Sequence, residues 1–81
     1  ADESDERAAR IGDNLLIYAR RHGLTDRESE VLRLILQGKD NQNIASSLQL
    51  ALGTVKAHVH NILKKTGHAN RAELAADFWE R

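Results

Sequence analysis

The sequence contains no cysteine. Disulfides, thiolate catalysis and cysteine-ligated zinc are therefore excluded. Methionine is absent too, even at position 1, so we read the chain as a processed or excised piece of a longer protein, namely its output domain. Proline is also missing, and the β-branched residues are scattered, so strand signals are poor. The longest unbroken apolar run, Leu15-Leu16-Ile17-Tyr18-Ala19, is far short of the roughly 20 residues that a membrane span needs. There is no signal-peptide pattern. Net charge is missing as well, since 12 Lys+Arg balance 12 Asp+Glu. That balance argues against a uniformly cationic nucleic-acid binder, but a sum says nothing about where the charges lie.

What is present is ordinary for a globular chain: 81 residues, 41% hydrophobic and 30% charged, enough for one small core. Helical periodicity recurs in five places, which predicts an all-α fold. The first helix is expected from about Asp5 to Arg21. Ala8, Ile11, Leu15, Tyr18, Ala19 and His22 fall on one stripe, while Leu16 and Ile17 fall outside it. So wide an apolar surface predicts packing on more than one partner. Acidic residues (Asp2, Glu3, Asp5, Glu6) crowd its start and Arg20 and Arg21 its end, which suits the helix dipole.

Thr25-Asp26-Arg27-Glu28 has the form of a capping box, and it opens a second helix running to about Gln37, stopped by Gly38. Val31, Leu32, Ile35 and Leu36 form its apolar stripe. Glu28 projects close to the middle of that stripe and needs a partner if covered. Capping alone satisfies it on one reading; on the other it pairs with a cation, for which Arg71 is the candidate. A third helix spans about Asn41 to Leu48, capped by Asp40 or Asn41. A fourth covers Leu52 to Thr66 and ends at Gly67, and a fifth covers Asn70 or Arg71 to about Glu80.

Two short helices joined by a tight turn, the second member longer, make a helix-turn-helix pattern. On the fourth helix, Val55, Val59, Ile62 and Leu63 share one side. The other carries Gly53, Lys56, Ala57, His60 and Lys64, with no acid. Its two small residues permit close approach to a groove wall, and a lysine there can donate to guanine O6 and N7. Charge is segregated in the same region. Asn41 to Ala72 holds no Asp or Glu but has Lys56, Lys64, Lys65 and Arg71, a charge of +4; the rest holds 12 acids against 8 bases, a charge of −4. A positive reader flanked by negative segments is the electrostatic footprint of a nucleic-acid binder.

These residues resemble a known family. Leu24-Thr25-Asp26-Arg27-Glu28-Ser29-Glu30-Val31-Leu32, then Gly38 with Asn41-Gln42-Asn43-Ile44-Ala45, then Thr54-Val55-Lys56-Ala57-His58-Val59-His60-Asn61-Ile62-Leu63-Lys64-Lys65, and finally Asn70-Arg71-Ala72-Glu73-Leu74 are similar to the DNA-binding domains of LuxR/FixJ/NarL-type response regulators. The likeness covers about Leu24 to Trp79. It implies a four-helix helix-turn-helix domain of the winged-helix-like superfamily, without a wing, over residues 24–81, with residues 1–23 an extra N-terminal linker or extension helix. It implies base contact by Lys56, Ala57 and His60. It implies phosphate contact by Thr54, by Val55 through its backbone, by Lys64 and Lys65, and by Asn41 at an amide-rich helix start. It further implies a homodimer through the last helix, where Ala72, Ala75, Ala76 and Trp79 share one face and Leu74 and Phe78 another. The expected partners are double-stranded DNA, RNA polymerase and an upstream sensor or receiver domain, in the cytoplasm and away from membranes. Three positions depart from the pattern: Ala51 where a Ser or Thr cap is usual, Gly53 in the first turn, and His60 where a longer basic side chain is common.

Other functions have less behind them. His58 and His60 lie two apart on a helix and point apart, so no metal is expected. His58 reads as structural and His68 as a turn residue. No nucleophile–base pair or glycine-rich phosphate loop is present, so neither an enzyme nor a cofactor is expected. A helical protein-interaction module, a sigma-factor region four-like domain contacting the transcription machinery, and a purely structural helical dimer remain as alternatives.

Overall fold

Three of the helices begin at a residue whose side chain accepts a free backbone N–H of the first turn. The computed structural model describes residues 3–80, with side chains from Gly12 onward except that of Asp13. Five helices follow one another with no strand among the described residues: α1 Glu3–His22, α2 Asp26–Leu36, α3 Asn41–Leu48, α4 Leu52–Thr66 and α5 Arg71–Trp79. The chain is thus all-α. The capping box at α2 is complete: the Glu28 amide donates to Thr25 Oγ1 at 3.1 Å, and the Thr25 amide donates to Glu28 Oε1 at 2.9 Å. Asp40 caps α3 by accepting from the Asn43 amide at 2.8 Å, and Asn70 caps α5 by accepting from the Glu73 amide at 2.9 Å. Gly67 ends α4 in the left-handed region (φ 78°), which lets the His68 amide turn back onto the Leu63 carbonyl at 3.0 Å.

Helix α2 packs against each of the other four. Its Val31, Leu32, Ile35 and Leu36 join Ile44 and Ala45 of α3, Val55, Val59 and Ile62 of α4, and Leu74 and Phe78 of α5 in one buried cluster. Leu15, Tyr18 and Ala19 of α1 are buried. The expected second partner of α1 is α5: the Tyr18 hydroxyl donates to Asp77 Oδ2 at 2.9 Å, and its ring meets Phe78 edge-on at 5.4 Å. His68 Nε2 lies 3.1 Å from the same Asp77 oxygen, so it is more than a turn residue. The apolar surplus of α1 is not used this way, because Leu16 and Ile17 stay exposed. Ala8 and Ile11 of the expected stripe, and the acidic side chains at 2, 3, 5 and 6, lie outside the described side chains.

The expected Glu28–Arg71 pair is not formed. Glu28 is buried, and Lys65 Nζ lies 2.7 Å from its Oε1 while also donating to the Gly23 carbonyl at 3.3 Å. Arg71 instead donates to Asn41 Oδ1 at 2.7 Å and to the Lys39 carbonyl. The reason is axial. Glu28 sits in the first turn of α2, whereas Arg71 opens α5 beside the turn that follows α2, roughly 15 Å along the helix. The last turn of α4 is what reaches the start of α2.

Burial opposes ionisation of Glu28, but the hydrogen bond and charge of Lys65 and the Thr25 backbone and hydroxyl outweigh it, holding the carboxyl below its ordinary value. A carboxylate depressed in the folded state adds stability above its unfolded pKa, and loses it as pH falls through the folded one. A double-mutant cycle of Glu28→Gln and Lys65→Met in urea is expected to show coupling of about 1 kcal/mol at neutral pH, near the low end because Lys65 is partly exposed. The coupling should vanish once acid protonates Glu28. Additivity at neutral pH would leave Glu28 with a capping role only.

Candidate nucleic-acid interface

Helix α4 is aimed by the turn before it. Gln49 ends α3 with φ 56°, a left-handed conformation in a residue with a Cβ, and the Leu50 amide folds back onto the Ala45 carbonyl at 2.9 Å. That single reversal sets α4 against α3 and presses Val55, Val59 and Ile62 into the core. With one side fixed, helical geometry turns Gly53, Thr54, Lys56, Ala57, His60, Asn61 and Lys64 outward, and all are exposed. No acid interrupts this surface. Lys56 and Lys64 have no ion pair among the described residues. His58 is half-buried at the edge of the surface.

Several expected contacts change status. Val55 is buried and its amide donates to the Ala51 carbonyl at 3.1 Å. It is the fourth residue of α4, already inside the helical ladder, so its backbone is not available to a phosphate. No side chain caps α4. The amides of Leu52 and Gly53, one turn earlier, therefore lack a side-chain acceptor and suit an anion better. The Thr54 amide is likewise taken by Ala51, at 3.0 Å, which leaves its exposed hydroxyl. Lys65 is committed to Glu28 and Gly23, so its charge serves the fold. At the start of α3, Asn41 Oδ1 accepts from Arg71, and the Asp40 carboxylate caps the helix. That carboxylate opposes a phosphate there, so the α3 start is a weaker anion site than its amide-rich sequence implies. Of the four cations in the acid-free segment, Lys56 and Lys64 remain for a ligand.

Helix α5 has one buried side and one exposed side. Leu74 and Phe78 of α5 are buried, while Ala72, Ala76 and Trp79 are exposed and Ala75 packs partly against the core. Trp79 is 38% exposed and meets Phe78 edge-on at 5.3 Å. No group of three or more His, Cys, Asp or Glu that could hold a metal occurs among the described residues.

A tight turn between α3 and α4 and an outward, acid-free α4 surface make a helix-turn-helix arrangement. Comparison with known proteins agrees. The profile of "Bacterial regulatory proteins, luxR family" matches residues 22–77, and the chain belongs to that family. The response regulatory protein YgeK of Escherichia coli is 52% identical over 57 residues, covering 70% of this chain and 39% of the relative. The transcriptional regulatory protein DesR of Bacillus subtilis is 42% identical over 57 residues, covering 70% and 29%. The monoamine regulon transcriptional regulator of Klebsiella aerogenes is 41% identical over 56 residues, covering 69% and 25%. The match thus spans well under half the length of each of these relatives, and α1 lies almost wholly before the matched region.

Two outcomes follow from the site geometry. A left-handed L-residue costs about 1–2 kcal/mol, part of which a more flexible glycine gives back in the unfolded chain. Gln49→Gly is therefore expected to stabilise the domain by about 0.5–1 kcal/mol, seen as a raised Tm; a lowered one would assign the Gln49 side chain a contact of its own. In DNA titrations over a range of salt, Lys64→Ala is expected to reduce the salt slope by about 1. Lys65→Ala should instead lower the unfolding midpoint and leave the slope nearly unchanged. Equal slope losses for both would return Lys65 to the phosphate contacts.

Proposed function

We propose that the chain binds double-stranded DNA sequence-specifically, with α4 lying in the major groove. The observation that carries this reading is the exposed, acid-free row Gly53, Lys56, Ala57, His60 and Lys64 on a helix held by a helix-turn-helix. Lys56 reads a purine edge, the small Ala57 lets the helix sit close, and His60 reaches an adjacent base. Phosphate contacts come from the Thr54 hydroxyl, Lys64 and the first amides of α4, which position the helix without specifying sequence. The exposed Ala72, Ala76 and Trp79 of α5, with Ala75 at their edge, support pairing of two copies on two half-sites. In a longer protein the domain acts as the output of a regulator, with a sensor or receiver domain ahead of it, in the cytoplasm and within reach of RNA polymerase. The names of the relatives support that wider role.

Selection of bound duplexes from a random pool tests site, spacing and stoichiometry together. A recovered motif of two half-sites is expected. Failure of micromolar protein to shift any duplex at low salt would favour a protein-interaction role for α4. Against the selected site, Lys56→Ala should cost about 1–3 kcal/mol and relax preference at one position; unchanged affinity and preference would remove Lys56 from the readout.

A further inference from the structure

Folding leaves the outward row of α4 with two lysines and one group whose charge is conditional. Lys56 and Lys64 are exposed, whereas Lys65 is held by Glu28 and the Gly23 carbonyl. His60 stands between Lys56 and Lys64, four residues from each. That spacing sets the three side chains along one face, about 6 Å apart on the helix axis. His60 is exposed and has no ion pair among the described residues. The other histidines of the acid-free segment are placed differently: His58 is half-buried, and His68 lies against Asp77. No acid faces His60 from its own helix, because α4 contains none. Helix α3, packed against α4, has no charged residue at all. On α2, Glu28 is paired with Lys65, Arg27 with Glu30, and Asp26 and Arg33 border α1. On α5, Asp77 takes Tyr18 and His68, Glu73 takes Asn70, Arg71 is held by Asn41, and Glu80 lies beyond the last turn. A charge on His60 thus stands between two like charges until an anion arrives.

We infer that His60 takes up a proton when α4 enters the groove, so that the bound row carries three cations and DNA affinity rises as pH falls through the histidine range. This rests on the DNA-binding reading above and adds its regulation. Duplex DNA supplies the missing counter-charge, one phosphate per strand about every 3.4 Å. Protonated imidazole presents two donors and no acceptor, which matches phosphate oxygens and the acceptor edge of guanine. A proton that favours DNA is, by linkage, favoured by DNA in return. The contribution is present where the imidazole is charged and is lost as pH rises through its titration. The anchor of α4 does not titrate alongside it. Glu28 is held below its ordinary value, chiefly by Lys65, so it stays ionised across this range. With only Lys56 and Lys64 otherwise free for the ligand, a third charge is a large fraction of the whole.

The test is the salt dependence of binding to the selected duplex, read at about pH 5.5 and about pH 8, on either side of the histidine range. One added cation steepens the salt slope by about 0.9, so the parent should bind roughly eightfold tighter at the lower pH in about 0.1 M salt. Calorimetry in two buffers of different ionisation heat, at about pH 7, should show net proton uptake on binding. His60→Gln should keep the shallow slope at both pH values, and His60→Lys the steep one at both. Circular dichroism of each variant checks that the helices are intact. A parent slope equal at the two pH values, or binding without proton uptake, would overturn the inference. A pH dependence that survives in His60→Gln would do so too, by assigning the proton to His58 or His68. So would a slope that still changes with pH in His60→Lys. If neither the parent nor His60→Lys binds any duplex at either pH, the DNA-binding reading itself fails and takes this inference with it.

Discussion

The seating of α4 on α2 is the constraint on which the rest depends. Val55, Val59 and Ile62 recur at helical spacing, and their burial beside Val31, Leu32 and Ile35 fixes which way α4 is rotated. Apolar burial supplies most of the driving force but little direction along the axis. The Glu28–Lys65 ion pair adds that direction, tying the last turn of α4 to the first turn of α2 at 2.7 Å. Rotation and axial position together set where Lys56, Ala57 and His60 stand. The cap that shapes the start of α2 therefore also helps to aim a surface two helices away.

Tertiary contacts also redistribute the charge. Twelve bases against twelve acids give zero, and the acid-free stretch from Asn41 to Ala72 concentrates a charge of +4. Folding then engages half of those cations, Lys65 with Glu28 and Arg71 with Asn41 and the Lys39 carbonyl. On the proposed reading, Lys56 and Lys64 carry the long-range attraction. Modest non-specific affinity follows, and directional base contacts and doubling of the site must supply the remainder.

Outside the family match, α1 is joined to the domain by chemistry of its own. Tyr18 and His68 converge on one oxygen of Asp77, at 2.9 and 3.1 Å, linking α1, the turn after α4 and α5. Tyr18 and Asp77 are 59 residues apart in the sequence. No periodicity or spacing rule joins such positions. A helix fastened this way is tied both to α5 and to the turn after α4, while its Leu16 and Ile17 stay exposed.

Local physics made much of this protein legible. Helix boundaries follow from caps and stops that act within three or four residues: Thr25 with Glu28, Asp40 before α3, Gly38 and Gly67 after α2 and α4. The outward row on α4 follows from its buried stripe, since a helix has only one rotation that covers Val55, Val59 and Ile62. Partner choice was a different matter. A buried carboxylate at Glu28 demands a cation, but Arg71 and Lys65 satisfy that demand equally on paper. Only the packing shows that α4 ends at the start of α2 and that α5 begins at its far end. The same distinction removed the Val55 amide and Lys65 from the candidate anion contacts and brought His68 to Asp77. Sequence by itself determined the helices, their faces and the segregation of charge, because these depend on neighbours along the chain. Tertiary structure decided which charges are spent internally and which face outward, because a hydrogen bond or ion pair forms only where helix ends distant in sequence meet.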